Sequence, residues 1–467
     1  MKRLASLLAL LLPIVLLFGC GGGGSGSGTT PPPNNQPGGV FVVGEDAPVS
    51  SVVAFNITIN SITLNNSSTS VQALSTPTAV DFGRLMGLRS LLAFNTVPQG
   101  TYNSVTFTFE ASNPAPVIST VDLSTNPPSV QPLTGTLTST TVTVPFAVGK
   151  PLVVGSNGLA GLHIDFDLRD SLAVDGNGQI TGVINPVIAV QAVSASEDLG
   201  EITEFTGNIV SVNVNANSFV MQGPYGFQRT IDVNANTQYN GSNSLSTLLP
   251  DAIVSIIGTM QADGTILASG VEQITTDKAF ISGRILAVNP TSGPVQSVTM
   301  WVGEELGTSG VIPVDTVQTI DLSAVSEYDI CFFDNILTQQ VFNDSSLVVA
   351  QRIFIGGTVA GGVFTPDMVS LRRQGVVGAL VANSVAVTGG TGSNQGYFQM
   401  QNDALMSYAA GGPFTVLTGD KTFFVNVNGL AGLAQAGTPN LLARGLVFKN
   451  PNDGKPVVVA GRIRVLP

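Results

Sequence analysis

The sequence predicts an all-β protein, an N-terminal β-sandwich followed by three small β-barrel repeats. Three observations carry this. Charged residues make up only 10% of the 467, against roughly 25% in ordinary soluble domains, so the long Lys- and Glu-studded faces of solvated helices are missing. Glycine is abundant, at 53 residues, and with Pro and Asn it cuts the chain into short segments. Within those segments apolar and polar residues alternate, the period of a half-buried strand.

The first element is an address. Lys2 and Arg3 precede an uncharged apolar run over residues 7–18 that ends in Leu17-Phe18-Gly19-Cys20. A basic start, a short apolar core and a small residue before cysteine make residues 1–19 an export signal. The run is shorter than the about 20 residues of a retained spanning helix. Leu17, Gly19 and Cys20 sit as in a bacterial lipobox, which the segment resembles. That resemblance implies lipidation at Cys20 and, with Gly21 rather than aspartate next, an outer membrane lipoprotein on its periplasmic or cell-surface face. Residues 20–39 form a Gly/Ser/Pro tether, including Pro31-Pro32-Pro33, with no apolar periodicity.

The sandwich is expected over residues 40–193. Ala54-Phe55-Asn56-Ile57-Thr58-Ile59-Asn60 and Val105-Thr106-Phe107-Thr108-Phe109 alternate as strands, and Asp175-Gly176-Asn177-Gly178 is a hairpin turn. Leu85, Leu88 and Leu92, three and four apart, suggest one short helix. Residues 194–200 read as an exposed connection. Then a loose repeat begins, with copies over 205–275, 278–373 and 374–467 that open on Gly207, Gly283 and Gly375. Each closes on a late hairpin, marked by Asp263-Gly264 in the first copy and Asp453-Gly454 in the third. Such lengths suit five- or six-stranded barrels strung as beads.

Residues 40–193 resemble the bacterial domain of unknown function 4382. The likeness rests on Val42-Val43-Gly44-Glu45-Asp46-Ala47-Pro48, Val97-Pro98-Gln99-Gly100-Thr101-Tyr102, Ile164-Asp165-Phe166-Asp167-Leu168 and Asn185-Pro186-Val187-Ile188-Ala189-Val190. The three later copies are similar to the domain of unknown function 5666, a small barrel found in tandem on similar lipoproteins. Neither resemblance brings an activity or catalytic residues.

Charge narrows the partners. Of 18 basic residues Lys2 and Arg3 leave with the signal, against 30 acidic ones, so the mature chain is strongly anionic. Nucleic acid is excluded as a partner, and membrane contact is expected through the lipid anchor alone. Envelope proteins or polysaccharide are the expected partners.

Chemistry is scarce. His163 is the one histidine, so a triad or a multi-histidine metal site has nothing else to use. Strand periodicity sets His163, Asp165, Asp167 and Arg169 on one face, read as a solvated row. Asp165, Asp167, Asp170 and Asp175 raise a calcium cage as a minority idea, but their spacing fits no known loop and turn formation accounts for Asp175. Residues 389–396 are glycine-rich without the lysine of a phosphate loop and read as a strand connection. Glu45, Asp46, Glu304 and Glu305 offer no pair that sequence can single out for glycoside hydrolysis. Cys331, with no second cysteine left for a disulfide once Cys20 is acylated, reads as a buried thiol, and Trp301 as core. No catalytic residue, metal or cofactor is expected. The expectation is a non-enzymatic, lipid-anchored envelope protein acting as a structural or interaction module, with a glycan-binding surface lipoprotein as the alternative.

Overall fold

A computed structural model describes residues 36–47, 49–223, 228–242, 244–275, 279–331, 341–390 and 392–466. The signal, Cys20 and nearly all of the tether lie outside them. The described chain is all-β, as its patterning predicts. None of its helices is long and apolar enough to cross a membrane.

The N-terminal part is built on two facing sheets. Gly38–Ala47 carries the unbroken apolar run Val40-Phe41-Val42-Val43 because both of its faces are covered there. It pairs parallel with Leu159–Asp167 and antiparallel with Ser90–Val97, and Ile188–Val193 completes a four-stranded sheet. The opposing sheet has seven strands and is organised by the long Val52–Asn65, which pairs with Ser104–Phe109, Val117–Asp122, Ser70–Leu74 and Thr78–Asp81. Inner residues of the two sheets share one core. Phe166 of the first lies 5.2 Å from Phe55 and 6.0 Å from Phe109 of the second. Leu85, Leu88 and Leu92 are all buried, but not as a helix: Gly83–Leu85 is a single 3-10 turn and Leu92 belongs to Ser90–Val97. Spacing of three and four matched a helix by accident, because the turn brings Leu85 onto the same core as Leu92 of the strand.

Three further sheets share one strand order. In the first, Ile202–Asn213 lies between Ser218–Gln222 and Ile253–Met260, with Ile266–Thr275 and Gln238–Asn240 beyond the latter. Gln228–Asp232 comes around from the other side and pairs parallel through Ile231↔Ile266 and Asp232↔Leu267, closing the ring. The second repeats this order from Thr316–Asp321 through Ser297–Leu306, Ala279–Asn289, Arg352–Ala360 and Val363–Leu371 to Glu327–Ile330. No ladder joins its Thr316–Asp321 to Val363–Leu371 among the described residues. The third runs from Gln374–Ala379 through Asn440–Lys449, Pro456–Val465 and Phe414–Thr418 to Gly396–Met400, and the bridge Leu380↔Met400 brings it back to its start.

The open second sheet follows from how its apolar interior is covered. Leu446, Phe448 and Val457 of the third sheet pack into the core of the second, while Leu286 and Trp301 of the second join a core with the third sheet and with Val53 and Ala54 of the sandwich. These are therefore not beads on a string. Cores are shared, and residues 36–467 form one compact unit. Residues 194–200 are likewise held: Asp198 sits 3.3 Å from Arg89 of the sandwich and 2.6 Å from Arg462 of the third sheet.

Two helices lie in the third repeat, both unanticipated by its sequence pattern. Ala404–Ala410 starts at Asp403, whose side chain accepts from Met406 N, and ends at Gly411 with φ +74. The other, Gly429–Leu433, buries Leu430 and Leu433.

Candidate functional site

The residues singled out by sequence do not converge. His163 is buried rather than solvated, and its Nε2 lies 3.1 Å from Glu45 Oε2. The row was misread because Arg464, from the last strand of the third repeat, reaches over that face to within 3.7 Å of Glu45 Oε1. Burial alone would raise the Glu45 pKa, but the His163 hydrogen bond, Arg464 and Arg89 outweigh it and hold it at about 2. Asp46 is pushed well above the usual range by burial and by the charge of Asp165. Asp167 caps the turn Leu168–Ser171 by accepting from Asp170 N, and Asp175 accepts from Asn177 N and Gln179 N in its hairpin. Among the described residues no group of three or more His, Cys, Asp or Glu is arranged to hold a metal. Cys331 and Trp301 are buried, and Glu304 Oε1 lies 2.7 Å from Arg84 Nη1. Glu305 accepts from the Thr308 backbone and hydroxyl.

What the fold does gather is charge, at the seams between sheets. Glu204 of the first repeat receives Arg352 of the second as a fork, with contacts of 2.9 and 2.6 Å. Arg372 bonds Glu272 and lies 3.5 Å from Glu204, and Ser370 donates to Glu272. Arg373 Nη2 donates to the Thr203 carbonyl. Burial would raise Glu204, yet Arg352 and Arg372 bring it down to about 2, whereas burial wins at Glu272 and leaves it raised. The sandwich joins this system through Arg84–Glu304 and through Arg89, whose Nε donates to the Glu201 carbonyl and whose backbone N–H donates to Thr203 Oγ1. Sequence reasoning missed this cluster. Its one signal was the run Ser370-Leu371-Arg372-Arg373-Gln374, polar where the pattern calls for core.

The second feature is a neutral outer face on the seven-stranded sheet. Thr141, Thr108 and Ser61 align across three strands, and Thr143, Thr106, Thr63 and Gln72 across four. Thr106 and Thr143 hydroxyls are 2.8 Å apart and Asn65 Nδ2 donates to Thr106. The intervening Val105, Phe107 and Ile62 point into the core. Strand spacing sets this as a grid of about 4.8 by 6.7 Å.

Residues 40–181 match the family model of the domain of unknown function DUF4382. Residues 206–272 match that of the domain of unknown function DUF5666. The chain thus carries a DUF4382 domain followed by a DUF5666 domain, the order its sequence indicates. No curated protein matched the chain. The DUF4382 domain supplies the hydroxyl grid and the Glu45–His163 pair. The DUF5666 match ends on Glu272, and Glu204 lies two residues before its start; the arginines of the following repeat occupy both.

Proposed function

We propose that the chain is a non-enzymatic structural or interaction module of the cell envelope, held by a lipid at Cys20 on the outer membrane. The observation that supports this is the placement of its charge. Glu204, Glu272, Arg352 and Arg372 are spent on one another inside the seams, where a carboxylate held at about 2 by two guanidiniums makes a poor general base at neutral pH. The grid around the half-exposed Thr106 and the exposed Thr143 is an uncharged hydroxyl surface suited to a protein or polymer partner.

Photo-crosslinking amino acids placed at Thr106 and Thr143 in living cells test the reading. Discrete adducts from these positions, lost when the neighbouring Thr63 and Thr141 are both changed to Lys, support it; adducts only from other faces overturn it. Metabolic labelling with an alkyne fatty acid tests the anchor, with incorporation expected in the unmodified chain and none in Cys20→Ala.

Glycan binding is the second reading. It rests on the exposed rings of Tyr397, Tyr408 and Phe423, whereas Trp301 is 3% exposed. Affinity electrophoresis through envelope polysaccharides, with Tyr397→Ala and Phe423→Ala, separates it from the first.

A further inference from the structure

A cavity of about 40 Å³ lies where the sandwich meets the second and third repeats. Its walls include Val53 and Arg84 from the sandwich, Arg284, Trp301 and Arg352 from the second repeat, and Gln374 from the third. Strand register explains the grouping. Arg284 lies directly opposite Trp301 on one neighbouring strand and opposite Arg352 on the other, so the three side chains share one face in a row.

The row is rich in donors and short of acceptors. Trp301 Nε1, Arg284 Nε and Arg284 Nη2 are buried with no protein hydrogen-bond partner, a costly state for amide-like and charged donors. Arg352 is neutralised by the Glu204 fork, and Arg84 has Glu304 at 2.7 Å. Among the described residues Arg284 has a single long ion-pair contact, 4.0 Å from its Nη2 to Asp403 Oδ2. Asp403 spends its other oxygen on capping the helix Ala404–Ala410, and burial favours its protonated form. One guanidinium is therefore left 4.0 Å from its carboxylate, beyond hydrogen-bond reach, beside an indole N–H that also needs an acceptor.

We infer that this cavity is a binding site for a small monatomic anion of the halide class, held between Arg284 and the Trp301 indole. At about 10–15 Å³ for each water-sized particle, the space of about 40 Å³ fits a halide with a water or two. The anion would give the three orphaned donors one acceptor and neutralise Arg284, joining the three modules at their meeting point.

Trp301 is the chain's one tryptophan, so selectively excited tryptophan fluorescence reads this cavity alone. Full-length protein is titrated with sodium bromide at constant ionic strength, made up with sodium gluconate. Saturable quenching that chloride competes away is expected, together with a half-saturation concentration raised about tenfold in Arg284→Gln. Quenching that rises linearly with bromide, is indifferent to chloride and is the same in Arg284→Gln would mean that the cavity holds water only, and would overturn the site. Should Arg284→Gln fail to fold, chloride competition on the unmodified chain decides the matter by itself.

Discussion

Asp81 illustrates what a single buried carboxylate does in this molecule. Its Oδ1 accepts from Phe55 N at 2.8 Å and from Arg84 N at 3.3 Å, while Oδ2 has no partner. Burial, only partly offset by these bonds and by the Arg84 charge, raises its pKa from 3.8 to about 6. The folded chain then holds a proton that the unfolded chain has released, so this residue's contribution is complete below about pH 4 and is lost as pH rises through about 6. Asparagine keeps the accepting oxygen and removes the ionisation. Asp81→Asn is expected to add about 1–3 kcal/mol above pH 7 and nothing at pH 4, read from urea unfolding at the two pH values. An equal gain at both would mean that charge burial is not the cause.

Elements here depend on places where a side chain has no room. Gly207 and Gly283 occupy corresponding sites in the first strands of the first two repeats, next to a bulge against the second strand. A Cβ would fall 2.1 Å from the Gln222 carbonyl oxygen at Gly207 and 1.8 Å from that of Trp301 at Gly283. Both neighbours are backbone and cannot swing away, so the paired strand must move. Gly207→Ala and Gly283→Ala should each cost about 1–3 kcal/mol, measured by denaturant midpoint, while Gly149→Ala, at an open turn with φ +76, should cost less and leave the strands in place.

The same glycines were visible in the sequence as the start of each copy, and so were the turns at Asp175, Asp263 and Asp453, because turn chemistry and period-two alternation are local properties. The seams were not. Whether His163 faces water or Glu45 depends on Arg464, about 300 residues later, and no spacing rule spans that distance. Leu446 and Phe448 belong to a strand of the third sheet, yet they fill the core of the second. The hydroxyl grid was half legible: alternation put Thr106 and Thr108 outward, but only the register set them beside Thr143 and Thr63.

At the scale of the whole molecule, shared cores and buried ion pairs should make the sandwich and the three repeats unfold together. Glu204 lies at the centre of this coupling, since it touches Arg352 and Arg372 and shares the latter with Glu272. Removing one partner of a buried pair leaves the other charge stranded and costs about 3–5 kcal/mol, whereas replacing both by apolar groups recovers much of that. With Glu204 held at about 2, its contribution is present above the unfolded value near 4.5 and is lost as pH falls through about 2. Calorimetry of the unmodified chain near pH 7 should therefore give one transition. In Glu204→Ala the repeats should melt earlier and apart from the sandwich, and Glu204→Met combined with Arg352→Met should bring the transitions back together. Two separate transitions in the unmodified protein would show instead that the seams carry no coupling and that the repeats stand alone.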